Sequence, residues 1–216
     1  EEIHDTWYIG PDGDQINVNA VTFAFDKYFY AATEKGIFYA DASSNLAYYI
    51  NWTKDNTITN PSGCYNLIAW HGGRLYVNST PVNQSFDKDT LLVFDGNQWN
   101  YFEANNHSTR AGIRVMNDRM LVCNYLNVDV FKPDGTHDYR MYDYNPGTVR
   151  PNDAILDNDN KAWIADNENG LYYMTDQWHG AQILINGPLT AQVSALDVSG
   201  NDLWAVPGGR DGGYGN

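Results

Sequence analysis

The sequence predicts an all-β fold, a β-propeller of four-stranded blades with repeats of ~43 residues. Three observations support this prediction: short apolar strands recur at a regular spacing, turn-forming residues separate them, and helical periodicity is absent. The composition agrees, because the 216 residues include 16 Tyr, 7 Trp and 19 Gly, a mixture that favours strands joined by tight turns.

The repeat is clearest in residues 157–174, DNDNKAWIADNENGLYYM. A polar turn leads into the strand KAWIA, and a second turn, DNEN, leads into the glycine-led strand GLYYM. Four weaker copies occur elsewhere in the chain, and aligning the second strand of each copy gives one anchor residue per repeat. The anchors are separated by 46, 45, 42 and 41 residues, and they are Tyr30, Tyr76, Leu121, Trp163 and Trp204.

This spacing predicts a single propeller domain with about five blades present. The blade-like repeats lie near residues 18–60, 61–105, 106–148, 149–190 and 191–216. The chain ends in the glycine-rich run VPGGRDGGYGN without a closing strand, so we expect a fragment of a larger propeller, with a complete five-bladed propeller as the alternative. We also expect Trp163 to be buried, and Gly36 and Gly170 to need a positive φ where they open third strands.

Charge and motif content narrow the classes of function. The formal net charge is −14 and no basic stretch is visible, so nucleic-acid binding is not expected. No apolar run approaches the ~18 residues of a membrane-spanning helix. HExxH and GxSxG motifs and paired metal-ligand spacings are absent from the sequence, so we expect no enzyme activity, no metal and no cofactor. Acid pairs such as Asp87 with Asp89 leave a propeller lyase or glycoside hydrolase as the less favoured class.

Three local features have competing interpretations. The acid and amide run at residues 157–160 offers oxygen ligands of the kind that Ca²⁺ prefers, but equivalent turns lack the acids, which favours a simple turn between strands. Cys64 and Cys123 lie among strand-like residues and are interpreted as buried free thiols, with one disulfide as the alternative. His71, in the turn-like sequence HGG, is predicted to be solvent exposed.

The blade signature resembles two propeller families. The stretch DNDNKAWIADNENGLYYM is similar to the pattern D…G-x-x-W-I-G-T…G-L of regulator-type propellers, which form the periplasmic sensor region of hybrid two-component systems, although Asp166 departs from that pattern. The stretches NGPLTAQVSALDVSGNDLWAVPGGR and LLVFDGNQWNYF resemble the propeller of the PorZ family of the type IX secretion system.

These resemblances imply a non-enzymatic binding or scaffolding module outside the cytoplasm, in the periplasm or on the outer surface of a Gram-negative bacterium. The PorZ resemblance implies protein partners in a cell-surface sortase complex, together with anionic lipopolysaccharide. The regulator resemblance implies the alternative, a ligand-sensing propeller that recognises glycans. Because a fold hosts many functions, both implications are expectations for the structure to examine.

Candidate ligand-binding residues follow from the repeat. Residues that enter the innermost strand of each blade surround the mouth of a propeller's central channel, where ligands often bind. Counting eleven positions back from the anchors, and adding adjacent polar residues such as Asp153, predicts a rim whose arginines, amides and tyrosine suit an anionic or sugar-bearing partner. The predicted rim residues are Asn19, Tyr65, Asn66, Arg110, Arg150, Asn152 and Gln192.

Two alternatives remain open for ligand binding at this stage. The simpler interpretation of the rim is a solvent-filled channel mouth that has no dedicated ligand. Trp52 and Trp99, in outer regions of their blades, are expected to pack between blades, with an aromatic sugar platform as the alternative.

Overall fold

A computed structural model describes residues 8–81, 89–102, 108–144, 147–183, 193–199 and 202–207. Within these residues the regular structure is almost entirely antiparallel β-sheet, with four sheets of four strands and one of two. The strands of every sheet are hydrogen bonded in chain order, so each sheet is a meander. The predicted all-β fold with four-stranded repeats is confirmed. No helix in the described part of the chain is long and apolar enough to cross a membrane.

The chain divides into two compact units, and unit 1 (Glu1–Thr109) contains two sheets. Sheet 1 comprises β1 (Val18–Ala24), β2 (Tyr28–Thr33), β3 (Gly36–Asp41) and β4 (Thr53–Lys54). Sheet 2 comprises β5 (Tyr65–His71), β6 (Arg74–Ser79), β7 (Thr90–Phe94) and β8 (Trp99–Tyr101). Short 3₁₀ turns occupy Pro11–Gly13 and Tyr49–Asn51.

Unit 2 (Arg110–Asn216) contains three sheets. Sheet 3 comprises β9 (Arg110–Met116), β10 (Arg119–Asn124), β11 (Asn127–Phe131) and β12 (His137–Met141). Sheet 4 comprises β13 (Pro151–Leu156), β14 (Ala162–Asp166), β15 (Gly170–Met174) and β16 (Gly180–Ile183). Sheet 5 pairs β17 (Val193–Ser199) with β18 (Asp202–Pro207). Each sheet lies inside one of the five predicted ranges.

First strands are neighbours within each unit, and the cores lie between successive sheets. In unit 1, β1 lies beside β5, and in unit 2, β13 lies beside both β9 and β17. The core between sheets 1 and 2 is rich in aromatic residues, including buried Tyr30 and Tyr65. The core between sheets 3 and 4 is mainly aliphatic, with Leu121, Val130 and Ile164 at its centre.

The first and second strands of three sheets are joined by turns with positive φ at both central residues. This conformation belongs to the type I′ turn, which matches the right-handed twist of the flanking strands and favours Gly, Asn and Asp. The central pairs, with φ in parentheses, are Phe25 (54°) and Asp26 (51°), Gly72 (56°) and Gly73 (76°), and Asn117 (49°) and Asp118 (55°). Phe25 is the residue in this set that the turn type does not explain.

The two glycines that open third strands adopt the predicted conformation. Gly36 has φ 125° and Gly170 has φ 83°, values at which a side chain strains the backbone. A Cβ atom on Gly36 would also meet the carbonyl oxygen of Pro61 and, at 2.9 Å, the Cε atom of Lys54. The prediction for both glycines is confirmed.

The five anchors share one register position, although they are not equally buried. Each lies three residues before the partner of the first strand's first residue; for example, Val18 pairs with Thr33, three residues after Tyr30. Tyr30 is 6% exposed, Tyr76 and Leu121 are fully buried, and Trp204 is 63% exposed. Trp204 belongs to the two-stranded sheet, whose outer face is uncovered within the residues that the structure describes.

The prediction that Trp163 is buried is wrong, because its indole is only half-buried. The indole Nε1 donates a hydrogen bond to Oδ2 of Asp157 at 3.2 Å, which holds the ring at the edge of the core. The neighbouring Ile164 is the fully buried residue of this strand. A polar ring atom with a partner near the turn therefore displaces the large side chain outwards.

His71 also differs from its prediction. Its side chain is only 4% exposed, and the residue is the last of β5 rather than part of the turn. The turn needs only Gly72 and Gly73, so His71 stays in the strand and lies against Tyr76 with ring centroids 6.5 Å apart. Both cysteines are free thiols, as predicted, with Cys123 fully buried and Cys64 half-buried.

Candidate functional site

The predicted rim residues lie at the edge of the sheets where each first strand begins. We call this end of the sheets, at which the first strands begin, the strand-start edge. The turns between second and third strands and the segments that lead to the next sheet lie at the same end. Tyr65 and Arg110 are the first residues of β5 and β9, and Arg150 directly precedes β13. Gln192 lies outside the described residues.

Three of the rim residues occupy one structural position rather than the mixture of positions that the sequence count implied. Asn19, Asn66 and Asn152 are each the second residue of a first strand. Counting back from the anchors placed Asn19 and Asn152 level with Tyr65 instead. The count is one residue out because the turns of sheets 1 and 4 contain one residue more, as the pair Ala24–Tyr28 and the bond from the Asp157 N–H to the Lys161 carbonyl show.

In unit 1 these side chains tie the sheets together. Asn19 Nδ2 donates to the backbone carbonyl of Tyr65 at 2.7 Å, which joins β1 to β5. The Tyr65 side chain is fully buried and its hydroxyl donates to the carbonyl of Asn60 at 2.8 Å. Asn66 Oδ1 accepts from Asn78 Nδ2 at 2.7 Å. The ring of Tyr65 is therefore part of the core and is not presented at the edge.

In unit 2 the asparagine at the same position makes an equivalent hydrogen bond to the next first strand, and the side chain of Arg150 reaches solvent. Asn152 Nδ2 donates to the carbonyl of Val193 at 3.2 Å, which joins β13 to β17. Arg110 is 1% exposed, so its side chain lies inside the unit. The Arg150 side chain is 37% exposed, and its Nη1 contacts Oε1 of Glu168 at 2.6 Å. Its guanidinium also lies 5.7 Å from the centroid of the Tyr125 ring, a cation–π arrangement.

A groove of about 520 Å³ lies on the strand-start edge of unit 2. Leu126 and Tyr142, which are 41% and 46% exposed, line it together with Arg140. Arg140 holds the fully buried carboxylate of Asp129 through two bonds, Nε to Oδ1 at 2.6 Å and Nη2 to Oδ2 at 2.9 Å. The groove thus combines aromatic, aliphatic and cationic surface on a rigid support.

Arg114 was not singled out by the sequence, although it links the first strands of unit 2. Its Nε and Nη2 donate to the two carboxylate oxygens of Asp153 at 3.0 and 2.7 Å. Asp153 also accepts from the N–H of Leu196 at 3.4 Å, so one carboxylate connects β9, β13 and β17. A signal was present: Arg114 is a charged residue inside the strand RAGIRVM, one repeat before an acid in the next first strand.

The buried carboxylate of Asp166 is committed to internal hydrogen bonds. Oδ2 accepts from the hydroxyl of Tyr144 and the N–H of Arg150, both at 2.7 Å. Oδ1 accepts from the backbone N–H groups of Glu168 and Asn169 at 2.9 and 2.8 Å. These partners give the acid at this position a structural role, because the side chain shapes the turn between β14 and β15.

The acidic run at residues 157–160 forms a turn, as favoured by the sequence. Asp157 Oδ1 accepts from the N–H groups of Asp159 and Lys161, both at 2.9 Å, and Asn160 adopts a φ of 59°. This is the local side-chain-to-backbone bonding by which Asp stabilises turns. In the described ranges, no group of three or more Asp, Glu, His or Cys side chains is arranged to hold a metal ion.

Trp99 packs between sheets 1 and 2, as predicted, whereas the contacts of Trp52 lie within its own repeat and the segment before it. Trp99 stacks on Phe94 with ring centroids 5.0 Å apart, and its Nε1 donates to Asp55 Oδ2 at 2.9 Å. The Nε1 of Trp52 donates to the carbonyl of Leu46 at 2.9 Å. Both indoles are half-buried, and both polar atoms have protein partners.

Comparison with solved structures identifies propellers of several functions. No protein-family model and no curated protein matches the chain. PorZ of the type IX secretion system from Porphyromonas gingivalis is similar with a TM-score of 0.64 and 16% identity, covering 94% of this chain and 33% of PorZ. The extracellular domain of the hybrid two component system BT4673 from B. thetaiotaomicron gives 0.63 and 16%, covering 94% and 26%. Virginiamycin B lyase from Staphylococcus aureus gives 0.61 and 14%, covering 90% and 64%.

These similarities establish the β-propeller fold, and they include both families that the blade signature resembles. The chain spans 26% and 28% of the two sensor domains, BT4673 and BT3049, and 33% of PorZ. Because the lyase shares the fold, the fold alone does not separate binding from catalysis.

Proposed function

We propose that this chain is part of a non-enzymatic, extracytoplasmic propeller that binds a partner through the strand-start edge, in the manner of a PorZ-like surface scaffold. The observation that supports it most directly is the half-exposed Arg150, fixed by Glu168 and by the ring of Tyr125, on the edge that also carries the groove. A pre-positioned guanidinium beside aromatic surface suits a carboxylate, a phosphate or a sugar-bearing anion.

The state of the buried acids supports binding rather than catalysis. Asp129, Asp153 and Asp166 are the acids most shielded within sheets 3 and 4, and each is held by arginine, tyrosine or backbone donors. A general acid or base needs a proton-transfer path to a substrate, whereas these carboxylates face internal partners. This arrangement favours a structural role for them.

A glycan and lipopolysaccharide array with Arg150→Ala tests the proposal. Arg119→Ala is the matched control, because Arg119 is also a half-exposed arginine paired with an acid, Asp138 at 2.8 Å, but lies at the opposite edge of its sheet. We expect a ligand bound by the native chain to lose about tenfold in affinity in Arg150→Ala, the loss of one charge-assisted contact, and to be unaffected by Arg119→Ala. Equal binding by both variants would refute the role of this edge.

The alternative is the ligand-sensing propeller of a two-component system. The similarity to the extracellular domains BT4673 and BT3049, with TM-scores of 0.63 and 0.62, supports it as strongly as the similarity to PorZ. Reading the complete gene discriminates the two: a membrane helix followed by a histidine kinase supports sensing, and a sequence without either supports the scaffold.

A further inference from the structure

Sheets 1 and 2 line an open cavity at the edge opposite the strand-start edge of unit 1. Its volume is about 420 Å³. We call it the aromatic pocket, and its main lining residues are five aromatic rings and one carboxylate: Phe25, Tyr28, Tyr30, Tyr39, Phe94 and Asp55. None of these residues belongs to the proposed rim, so the pocket is independent of the proposed function.

Three tyrosines form one wall of the aromatic pocket because of strand geometry. Tyr28 and Tyr30 are two residues apart in β2 and therefore lie on the same face of the strand. Tyr39 is the direct partner of Tyr30 on β3. The rings of Tyr30 and Tyr39 are stacked, with centroids 5.4 Å apart. Tyr28 meets both edge-on, at 5.7 Å from Tyr39 and 6.3 Å from Tyr30. Aromatic faces carry the negative part of the ring quadrupole, so a ring face turned to the pocket attracts positive charge.

Asp55 adds a full negative charge to the aromatic pocket. The residue is 7% exposed, and Oδ1 accepts from the N–H and hydroxyl of Thr57 at 2.8 and 2.6 Å. Oδ2 accepts from Trp99 Nε1 at 2.9 Å. Burial first, and then the charge of Asp55, raise the pKa of Tyr30 to about 12. The lining of the pocket therefore includes one carboxylate close to the tyrosine wall.

The chain's own Lys27 shows that a cation is accommodated at the pocket mouth. Its Nζ lies 4.7 Å from the centroid of the Tyr28 ring, within cation–π distance. The side chain is 56% exposed and its ion pair with Asp41 is long, at 3.7 Å. A flexible lysine held this loosely can be replaced by another cation at little cost.

The backbone is strained where it positions the fourth ring. Phe25 has a φ of 54°, although a bulky residue disfavours this region and the equivalent turns use Gly72 or Asn117. The strained turn places the Phe25 ring 4.3 Å from Trp70 and 5.8 Å from Phe94 on sheet 2. Strained residues cluster at ligand-binding sites, and here the packing of the ring on Trp70 and Phe94 holds the strained conformation.

We propose that the aromatic pocket binds a small organic cation with an ammonium group, quaternary ammonium above all, and that Lys27 competes with this ligand for the pocket mouth. Aromatic walls combined with a carboxylate are the chemistry that recognises such groups, and the acidic chain, with a net charge of −14, attracts them. A neutral molecule of the same shape lacks both attractions.

The test is calorimetric titration of the native chain with choline and with its neutral isostere 3,3-dimethylbutan-1-ol. We expect saturable binding of choline and at least tenfold weaker binding of the isostere, the effect of ~1.4 kcal/mol of lost cation–π and charge attraction. Equal affinity for the two ligands, or no saturable binding of choline, overturns the proposal.

Two variants at the pocket are expected to change the affinity for choline in opposite directions. This separates an effect on binding from general destabilisation of the fold. Lys27→Met removes the competing ammonium and is expected to tighten choline binding about threefold, whereas Tyr28→Leu keeps apolar volume but removes a ring and is expected to weaken it about tenfold. Lys35→Met is the control, because Lys35 lies in the turn at the other end of the same sheet. This variant is expected to leave the affinity for choline unchanged. Weaker binding in Lys27→Met refutes the competition. Arg150→Ala leaves choline binding intact, so failure of the two proposals is distinguishable.

Discussion

Units 1 and 2 are built from the same repeat, but different types of residue pack between their sheets. In unit 1 the buried residues between the sheets are bordered by half-buried aromatic rings, with Phe25 and Trp70 in contact at a centroid distance of 4.3 Å. In unit 2 the core is aliphatic, and the polar groups are the buried carboxylates Asp129 and Asp166 with their donors. The aromatic pocket lies among the rings of unit 1.

The largest effect is expected from breaking the buried polar cluster of unit 2. Asp166→Ala leaves the hydroxyl of buried Tyr144 and the turn N–H groups without their acceptor. We expect a loss of about 4 kcal/mol in the free energy of unfolding, measured by urea denaturation. Asp159→Ala, an exposed acid in the same sheet, is the control and should change stability by less than about 0.5 kcal/mol. A loss below about 1 kcal/mol in Asp166→Ala would contradict the structural role.

A second substitution tests the backbone of unit 1. Gly36→Ala adds a Cβ that collides with the Pro61 carbonyl at a φ of 125°, so we expect a destabilisation of about 3 kcal/mol. Gly73→Ala also has a positive φ, of 76°, but meets open space, so the cost is expected to be about 1 kcal/mol. Chemical denaturation measures both values, and equal losses would show that the collision is relieved by movement of the loop.

High pH is expected to weaken unit 1 through its buried tyrosines. Burial raises the pKa values of Tyr30 and Tyr65 from 10.0 to about 12. Between these values the unfolded chain releases protons that the folded chain retains, so stability is complete below pH 10 and falls towards pH 12, by on the order of 1 kcal/mol per tyrosine. Tyr65→Phe should reduce this fall, although at pH 7 it costs about 1 kcal/mol because Asn60 loses a donor. An unchanged pH profile in this variant would contradict the assignment.

The smallest effect is expected where the two units are alike. Asn19→Ala and Asn152→Ala each remove a bond to the next first strand, at 2.7 and 3.2 Å. We expect losses of about 1 and 0.5 kcal/mol in unfolding free energy, since both sites are partly solvated. Asn158→Ala, in the exposed turn of sheet 4, should have no effect. A larger loss of unfolding free energy for Asn152→Ala than for Asn19→Ala would show that the length of these hydrogen bonds does not predict their contribution to stability.

Strand pattern and spacing were enough to predict the repeat, because strand alternation and turn chemistry are local properties of the chain. The register of Tyr30, Tyr76 and Leu121 follows from the period alone. Burial does not, since it depends on what covers each face. Trp204 has the same register but is 63% exposed on a two-stranded sheet. His71 looked like a turn residue because two glycines follow it, but a two-residue turn leaves it in the strand.

The candidate sites were less accessible from sequence. Counting residues located the strand starts, but a one-residue difference in turn length hid the shared position of Asn19 and Asn152. The count also could not tell that Tyr65 and Arg110 are buried while Arg150 reaches solvent, because the direction of a side chain depends on the neighbouring sheet. The aromatic pocket depends on a Phe25 conformation that no turn preference predicts.

The central claim is that the aromatic pocket of unit 1 binds organic cations. Indole N–H resonances in a ¹H–¹⁵N spectrum test it most directly during titration with tetramethylammonium. The Trp99 indole is bonded to Asp55 in the pocket, and the Trp163 indole is bonded to Asp157 in unit 2. The account predicts a saturable shift of the Trp99 resonance with Trp163 unmoved. Equal shifts of both indoles, or no shift of Trp99, would contradict it.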